Sequence, residues 1–261
     1  MYTPTSTSLP QVLNYGVPQG SVLGPLLFLL YINDMPFASN IINFILFADD
    51  TTGLYKSHTL NDLFVTMNSE LDKLNCWFAA NKLKLNIDKT KWILFSTRQK
   101  LPFFQLDSSS HIININNSNI EQALSTKFLG LHLDNHLNFK QHISQTHLKI
   151  TKGIYLLRRA SQFLPIETLK TLYSTLILPH LSYGLLCWGG VCKSNSKFKI
   201  LNQGQPSNLM SPIISNLHNL QKRAIRILSK TNSKAHHIPL CFNLILLKLD
   251  DLYSIKALAF F

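Results

Sequence analysis

Residues 16–32 read GVPQGSVLGPLLFLLYI, and residues 47–50 read FADD. In the first stretch, Gly16 and Gly20 permit backbone conformations that a Cβ would hinder, which predicts a tight turn. Ser21 is a suitable N-cap for the apolar run that follows it, so this run predicts a buried helix with its proline in the first turn. The turn would bring several backbone amides to one place, and the helix would anchor them.

The pair Asp49–Asp50 interrupts an apolar segment. Two β-prone runs, at 41–48 and 51–55, meet at this pair, which predicts a β-hairpin with two carboxylates at its tip. Adjacent carboxylates repel each other, and a divalent cation relieves that repulsion. Hard oxygen ligands favour Mg²⁺ or Mn²⁺. Taken alone, the pair is better interpreted as an ordinary Asp-rich turn, but the glycine-rich stretch upstream favours the metal site.

Four segments of the chain resemble reverse transcriptases of the non-LTR (LINE-type) retrotransposon group. Residues 16–28 match motif B of that family, GxPQGSxLGPxLF, and residues 47–50 match motif C, the F/Y-A-D-D box of the palm. Residues 81–90 (NKLKLNIDKT) resemble motif D, and residues 127–130 (KFLG) resemble motif E, the primer grip. Motifs B and C together are specific, whereas D and E are weak alone. A weaker similarity continues through Tyr183-Gly184, Trp188-Gly189 and residues 221–226.

The resemblance implies an activity and its partners. The activity is RNA-directed DNA polymerisation, with an RNA template, a DNA primer, dNTP and Mg²⁺ (or Mn²⁺). Asp49 and Asp50 would be catalytic and metal-ligating, and Lys89 would act as a general acid towards the departing pyrophosphate. A solvated loop position is an equal alternative for Lys89. The other implied contacts are those of Gln19, Gly20 and Ser21 with nucleotide and template, and those of Lys127, Phe128, Leu129 and Gly130 with the primer.

The resemblance also implies an α+β fold in three parts. These are a partial polymerase palm carrying motifs B to E over 1–139, a helical thumb-like region over 140–192, and a loop plus a basic C-terminal helical region over 193–261. The family carries another acid in motif A, before motif B, yet no Asp or Glu precedes Asp34. We therefore expect a polymerase fragment truncated within the palm. The alternative is a catalytically dead remnant that only binds nucleic acid through its basic half.

Charge is divided unevenly along the chain. The net charge is +12, yet residues 1–55 carry three acids and no base, and the remainder carries 25 bases against ten acids. A basic region of this kind suits contact with phosphate backbones, although many soluble proteins have a solvated basic surface. By resemblance to a polymerase thumb, the basic residues beside two predicted helical stripes become candidates for nucleic-acid binding: Lys149, Lys152, Arg158, Arg159, Arg223 and Arg226.

Periodicity predicts the other elements. Thr59, with an acid three residues later, predicts a helix N-terminus. The apolar residues at 85–87 and 92–95 bracket a short loop, which predicts a strand after the loop. Further strands are predicted at 112–115 and 127–133, with a polar turn at 116–119. Two apolar stripes predict helices that carry the basic residues on their other faces. The first stripe consists of Ile143, Ile150, Ile154 and Leu157, and the second consists of Leu220, Ala224, Ile227 and Leu228.

The uncharged run at 171–192 is long enough to span a membrane. Because it contains Pro179, a histidine and a glycine, we interpret it instead as a buried helix, a turn at Pro179 and a short apolar segment. Residues 193–216 are rich in polar residues and predict a loop. Four cysteines without C-x-x-C spacing indicate neither a zinc site nor a redox pair. The N-terminus lacks the basic region of a secretory signal, so an intracellular protein of the cytoplasm or nucleus is expected.

Overall fold

A computed structural model describes residues 16–18, 20–96, 111–191, 212–232 and 235–260. This part of the chain combines helices with short two-stranded sheets, which confirms a mixed α+β architecture.

The chain divides into two compact units. The first contains the described residues up to Trp92 together with residues 111–122, and the second contains residues 93–96 and the described residues from Ala123 onward. The boundaries predicted at residues 139 and 192 rest on motif content and stay predictions.

The first helix, α1 (Gly24–Ile32), begins two residues later than predicted. Ser21 therefore does not occupy the N-cap position, although its Oγ accepts a hydrogen bond from the Gly24 N–H at 3.1 Å. The expectation of a buried helix is wrong, because Ile32 is its one buried residue and Leu30 is 67% exposed. Apolar side chains surround the helix axis, so a single packing contact covers only part of them.

The acidic hairpin is present as predicted. Strand β1 (Asn43–Phe47) pairs antiparallel with β2 (Asp50–Leu54). Phe44 and Leu46 pack against the core of the first unit, whereas the alternate residues of β1 are exposed. A 3₁₀ turn at Met35–Ala38 precedes the hairpin.

Helix α2 (Leu60–Ala80) begins where the sequence predicts. Thr59 is its N-cap residue, and Thr59 Oγ1 accepts a hydrogen bond from the Asp62 N–H at 3.2 Å. Side chains from α2 and the following strands form the core of the first unit, whose buried members are Met35, Phe64, Leu71, Leu74, Ile113, Ile115 and Ile120.

Short strands complete the first unit: β3 (Lys91–Trp92), β4 (Asn114–Ile115), β5 (Ser118–Asn119) and β6 (Glu121–Gln122). β3 pairs parallel with β6, and β4 pairs antiparallel with β5. Asn116 and Asn117 connect β4 to β5, and both have positive φ, as a type I′ turn requires. The strand predicted at 92–95 is present only at its first residue, because β3 ends at Trp92 and residues 93–96 have no regular structure.

The second unit begins with a hairpin and a long helix. Strand β7 (Ser125–Phe128) pairs antiparallel with β8 (Leu131–Asp134), which packs against α3 (Lys140–Ala160). The apolar stripe predicted for α3 is buried, with Ile150 and Leu157 fully enclosed.

The described part of the uncharged run, residues 171–191, extends over three short helices, α4 (Ile166–Leu176), α5 (Leu178–Ser182) and α6 (Leu185–Val191). Pro179 lies in the first turn of α5, so the predicted turn is displaced to Ile177, between α4 and α5, and a second turn at Tyr183–Gly184 separates α5 from α6. No helix in the described ranges is both long and apolar enough to cross a bilayer.

Three further helices follow: α7 (Pro212–Leu228), α8 (His237–Leu244) and α9 (Leu249–Phe260). The loop predicted at 193–216 is wrong for residues 212–216, where α7 begins, and residues 193–211 lie outside the described part of the chain.

A buried polar contact holds α7 in the core of the second unit. The Gln221 side chain is 2% exposed, and its Nε2 donates to Tyr173 Oη at 3.2 Å and to the Leu247 carbonyl at 3.0 Å. Its Oε1 accepts from the Leu249 N–H at 3.0 Å. This one side chain therefore connects α4, α7 and the start of α9.

Candidate functional site

Asp49 and Asp50 lie at the loop end of the β1–β2 hairpin. Ala48 and Asp49 form a two-residue loop, and Asp50 opens β2 opposite Phe47. Ala48 has a φ of +50°, a positive value of the kind that tight hairpin loops require. Both aspartates are exposed. The hairpin thus presents two adjacent carboxylates to solvent.

These two carboxylates meet part of the requirement of a catalytic metal site. They supply the oxygen ligands that Mg²⁺ and Mn²⁺ prefer. Within the described residues, no group of three or more His, Cys, Asp or Glu side chains is placed to hold a metal ion. A centre with two ions about 3.5–4 Å apart needs more ligands than one hairpin tip offers. The hairpin therefore fits one side of a cation site and does not complete it.

A buried polar network fixes the start of this hairpin. Ser39 Oγ accepts hydrogen bonds from the N–H groups of Ile41, at 3.2 Å, and Ile42, at 3.1 Å, which lead into β1. The Ser39 hydroxyl donates to the Glu70 carboxylate on α2 at 2.6 Å, and Lys73 Nζ donates to the other carboxylate oxygen at 2.6 Å. The hydrogen bonds from Lys73 and Ser39 lower the pKa of Glu70, although desolvation opposes them. An ionised, buried carboxylate thus holds the strand that carries the two acids.

The glycine-rich turn before α1 has the predicted backbone. Gly16 and Gly20 both have a φ of +88°, and the Ser21 N–H donates to the Pro18 carbonyl at 3.1 Å. Among the described residues outside its chain neighbours, no heavy atom lies within 4 Å of the position that a Cβ on Gly20 would take. The glycine therefore provides an open surface beside a tight turn. Gln19 lies outside the described residues.

Lys89 lies in a compact loop that follows α2. Its N–H donates to Asn86 Oδ1 at 3.2 Å, and the Asn86 carbonyl accepts from both the N–H and the hydroxyl of Thr90, at 3.0 and 2.8 Å. Lys89 itself is exposed. Its backbone is held in a defined turn while its ammonium group faces solvent, a geometry that fits either interpretation of this residue.

The 127–130 segment forms the tip of the β7–β8 hairpin. Lys127 is exposed one residue before the end of β7, and Leu129 and Gly130 form the loop with φ values of +44° and +84°. The Tyr183 hydroxyl donates to the Leu129 carbonyl. Sequence analysis assigned no role to Tyr183, although the weak similarity at Tyr183-Gly184 was a signal for it.

The candidate basic residues fall on two helices. Lys149, Lys152, Arg158 and Arg159 are exposed along α3, away from its buried stripe. On α7, Arg223 is exposed, whereas Arg226 is half-buried and its Nε donates to the Ala235 carbonyl at 2.9 Å.

The two units divide the predicted site residues between them. The first unit holds the described residues of motif B, the acidic hairpin and the Lys89 loop, so the structure brings these three elements into one compact unit. The second unit holds the 127–130 turn and the basic faces of α3 and α7.

The acidic hairpin and the 127–130 turn lie in one segment that matches a known family. Residues 5–133 match the family model described as "Reverse transcriptase (RNA-dependent DNA polymerase)". This segment belongs to the reverse transcriptase family. The family assignment explains why a hairpin carrying two acids follows a glycine-rich turn within one short reverse transcriptase segment.

Several relatives of this reverse transcriptase segment come from Drosophila melanogaster. The chain is 30% identical over 192 residues to the probable RNA-directed DNA polymerase from transposon X-element. This alignment covers 70% of the chain and 20% of the relative. It is 30% identical over 202 residues to the probable RNA-directed DNA polymerase from transposon BS, in an alignment that covers 73% of the chain and 21% of the relative. It is 28% identical over 198 residues to the RNA-directed DNA polymerase from mobile element jockey, in an alignment that covers 71% of the chain and 21% of the relative.

The chain thus spans about a fifth of the length of these curated relatives. The similarity to these relatives confirms the resemblance to reverse transcriptases of non-LTR retrotransposons. No solved structure matches the chain.

Proposed function

We propose that this chain is part of the RNA-directed DNA polymerase of a non-LTR retrotransposon. The observation that carries the proposal is the hairpin with Asp49 and Asp50 at its loop, inside a segment of the reverse transcriptase family. In this proposal the first unit and the β7–β8 hairpin correspond to part of the palm, and α3 to α6 form a thumb-like region. The protein would then act inside the cell, in the cytoplasm or the nucleus.

The acidic hairpin supplies ligands for the divalent cation, and the loops around it contact the substrates. A bound Mg²⁺ or Mn²⁺ would activate the primer 3′-hydroxyl and neutralise charge on the dNTP phosphates. Gly20 and Ser21 contact nucleotide and template, where the absence of a Cβ on Gly20 admits a close approach. The resemblance assigns Gln19 to the same contact. In this proposal Lys89 donates a proton to the departing pyrophosphate, because its exposed ammonium group can reorient while the loop backbone stays fixed.

The basic helices bind the primer–template duplex. Four exposed cations on α3 and Arg223 on α7 face solvent, and a lysine or arginine that neutralises a phosphate gains affinity by releasing counterions. The 127–130 turn contacts the primer strand, with Lys127 placed to meet a phosphate.

A second candidate is a protein that binds nucleic acid without catalysis. The observation that favours it is the exposure of Lys149, Lys152, Arg158 and Arg159 along α3, because these cations would bind phosphates whether or not the acidic hairpin holds a metal ion. This candidate shares the basic helices with the polymerase but assigns no role to the 127–130 turn.

Photocrosslinking separates the two candidates. The full chain is bound to an RNA template annealed to a DNA primer whose 3′ nucleotide is 4-thiothymidine, irradiated, and digested for mass spectrometry. A polymerase segment crosslinks this nucleotide to residues 127–130, and moving the thionucleotide several positions upstream transfers the crosslink to α3 or α7. Crosslinks on α3 and α7 that do not depend on the position of the primer end would support the second candidate. A chain that binds no primer–template at low salt would contradict both.

A further inference from the structure

The loop of the β7–β8 hairpin is held by one side chain from outside the hairpin. Leu129, which has a Cβ, adopts a positive φ of +44°, a conformation that L-residues with larger side chains avoid. The Tyr183 hydroxyl donates to the Leu129 carbonyl. The Tyr183 ring lies directly over the next residue, because a Cβ on Gly130 would be 3.2 Å from Tyr183 Cε1 and 3.3 Å from its Oη. The tyrosine therefore contacts both loop residues.

Tyr183 is itself anchored to the core of the second unit. It connects α5 to α6, and its carbonyl accepts a hydrogen bond from Trp188 Nε1 at 2.8 Å. The Trp188 side chain is fully buried. The neighbouring Gly184 has a φ of +58°, and a Cβ there would lie 2.5 Å from Leu131 Cδ2, so the first residue of β8 occupies the space that a larger residue would need. The bend at Tyr183–Gly184 thus connects the hairpin to the helical core through two separate contacts.

We propose that Tyr183 is a positioning residue for the primer-binding turn at 127–130. This inference rests on the proposed function, because it assumes that the turn contacts the primer. Tyr183 is 53% exposed, so its burial contributes little to the core, whereas its hydroxyl and ring fix a loop with an unfavourable backbone conformation. Loss of the hydroxyl would leave the hairpin paired but would release its tip. Lys127 and the primer end would then meet in a smaller fraction of the complexes.

The test uses Tyr183→Phe in the full chain and the primer carrying 4-thiothymidine at its 3′ end. The Tyr31→Phe variant is the matched control, because the Tyr31 hydroxyl also donates to a distant backbone carbonyl, that of Asn81, in the first unit. We expect the crosslink yield at residues 127–130 to fall about fivefold in Tyr183→Phe, the effect of losing one hydrogen bond, and to be unchanged in Tyr31→Phe. The dissociation constant for primer–template, which phosphate contacts dominate, should change by less than about twofold.

The outcomes separate the inference from the proposed function. An unchanged crosslink yield in Tyr183→Phe would overturn the role of Tyr183 and leave the proposed function intact. A wild-type chain that binds primer–template but gives no crosslink at residues 127–130 would contradict the primer-binding role itself and with it the inference. A fall in crosslinking that merely follows a general loss of affinity would show a structural role only and would also overturn the inference.

A second variant covers the case in which Tyr183→Phe does not fold. Tyr183→Leu removes both the hydroxyl and the ring and leaves an apolar side chain at a position that is 53% exposed. It should produce the same loss of crosslinking at unchanged affinity, and an unchanged yield would again overturn the proposal.

Discussion

The hydroxyl of Ser39 lies 2.6 Å from a carboxylate oxygen of Glu70, although the two residues are 31 positions apart in the chain. Both are buried, with 5% and 3% of their surface exposed. Ser39 precedes the strand that leads to Asp49 and Asp50, and Glu70 lies in the middle of α2. The acidic hairpin is therefore attached to the longest helix of its unit by a hydrogen bond to a buried charge.

Replacement of Ser39 by alanine should destabilise the chain. The change leaves the Ile41 and Ile42 N–H groups and one carboxylate oxygen of Glu70 without their hydroxyl partner, at a cost of about 1–3 kcal/mol in the free energy of unfolding. Urea denaturation followed by circular dichroism measures the effect. Ser144→Ala, at an exposed position of α3, serves as the control and should change the free energy by less than about 0.5 kcal/mol. Equal effects of the two substitutions would contradict the role of the network.

The stability of the chain should depend on the charge of Glu70 in acid. The pKa of Glu70 in the folded state is below its ordinary value of 4.5, so the unfolded state takes up a proton more readily. This contribution to stability is fully present above pH 4.5 and is lost as the pH falls through the lower, folded-state pKa. Urea midpoints recorded from about pH 7 to about pH 3 should therefore fall less steeply in Glu70→Gln than in the wild type. Parallel pH profiles for the two proteins would show that this carboxylate does not couple to folding.

A divalent cation should bind weakly at the acidic hairpin. Mn²⁺ should broaden the amide resonances of residues 47–52, and Asp49→Asn should reduce the broadening more than Asp50→Asn. The reason for the difference is that Asp49 lies in the loop itself, whereas Asp50 is part of the β2 ladder. Asp72→Asn, which removes an exposed carboxylate from α2, is the matched control. Broadening that persists unchanged in Asp49→Asn would exclude this hairpin as the binding site.

Affinity for primer–template should fall steeply with salt. Each lysine or arginine that neutralises a phosphate adds about 0.7–0.9 to the slope of log K against log salt concentration. The double variant Arg158→Gln/Arg159→Gln should therefore flatten the slope by up to about 2, and Arg223→Gln by about 1. Fluorescence anisotropy at several salt concentrations gives the slope, with Lys256→Gln on α9 as a control.

Arg226 needs a separate measurement. Its Nε already donates to the Ala235 carbonyl, so Arg226→Gln should lower the free energy of unfolding by about 1–3 kcal/mol in addition to any change in the salt slope. If the stability of this variant equals that of Arg223→Gln, the contact with Ala235 contributes nothing measurable.

A polypeptide of these 261 residues should not extend a primer at a useful rate. The acidic hairpin offers two carboxylates, and no Asp or Glu precedes Asp34 in the chain. Loss of one main electrostatic stabiliser costs about 10²–10³ in rate. The assay uses an RNA template, a DNA primer, dNTP and Mg²⁺ or Mn²⁺, with Asp49→Asn as the blank. Extension clearly above this blank would mean that another acid, with Asp34 the first to test, completes the site.

Local signals in the sequence predicted the elements whose chemistry is local. Thr59 and Asp62 fixed the start of α2, because a capping box needs only four consecutive residues. The apolar runs on either side of Asp49–Asp50 predicted the hairpin, and the spacing of the isoleucines predicted the buried face of α3.

The failures have two physical causes, which are contacts distant in sequence and local signals that fit more than one structure. The apolar composition of α1 predicted burial, but burial depends on which partners pack against a helix. Pro179 was interpreted as a break, yet a proline is equally suited to the first turn of a helix, where α5 holds it.

The two positioning contacts could not be predicted from spacing alone. Ser39 meets Glu70 over 31 positions, and Tyr183 meets Leu129 over 54. For the contact between Ser39 and Glu70, the sequence signal was the position of Glu70 beside the apolar Leu71. This position indicates a buried charge that needs a partner, but it does not identify the partner.

The exposed leucines of α1 also affect how the chain behaves at different concentrations. Leu26 and Leu30 are 54% and 67% exposed on a helix of nine residues, and apolar surface of this kind adheres to other apolar surface, including that of another copy of the chain. Light scattering should therefore rise with protein concentration, and a mild detergent should reverse the rise. The +12 net charge opposes such association at low ionic strength, and added salt screens that repulsion. The high-salt end of a binding titration is thus also the condition under which the chain is most prone to aggregate.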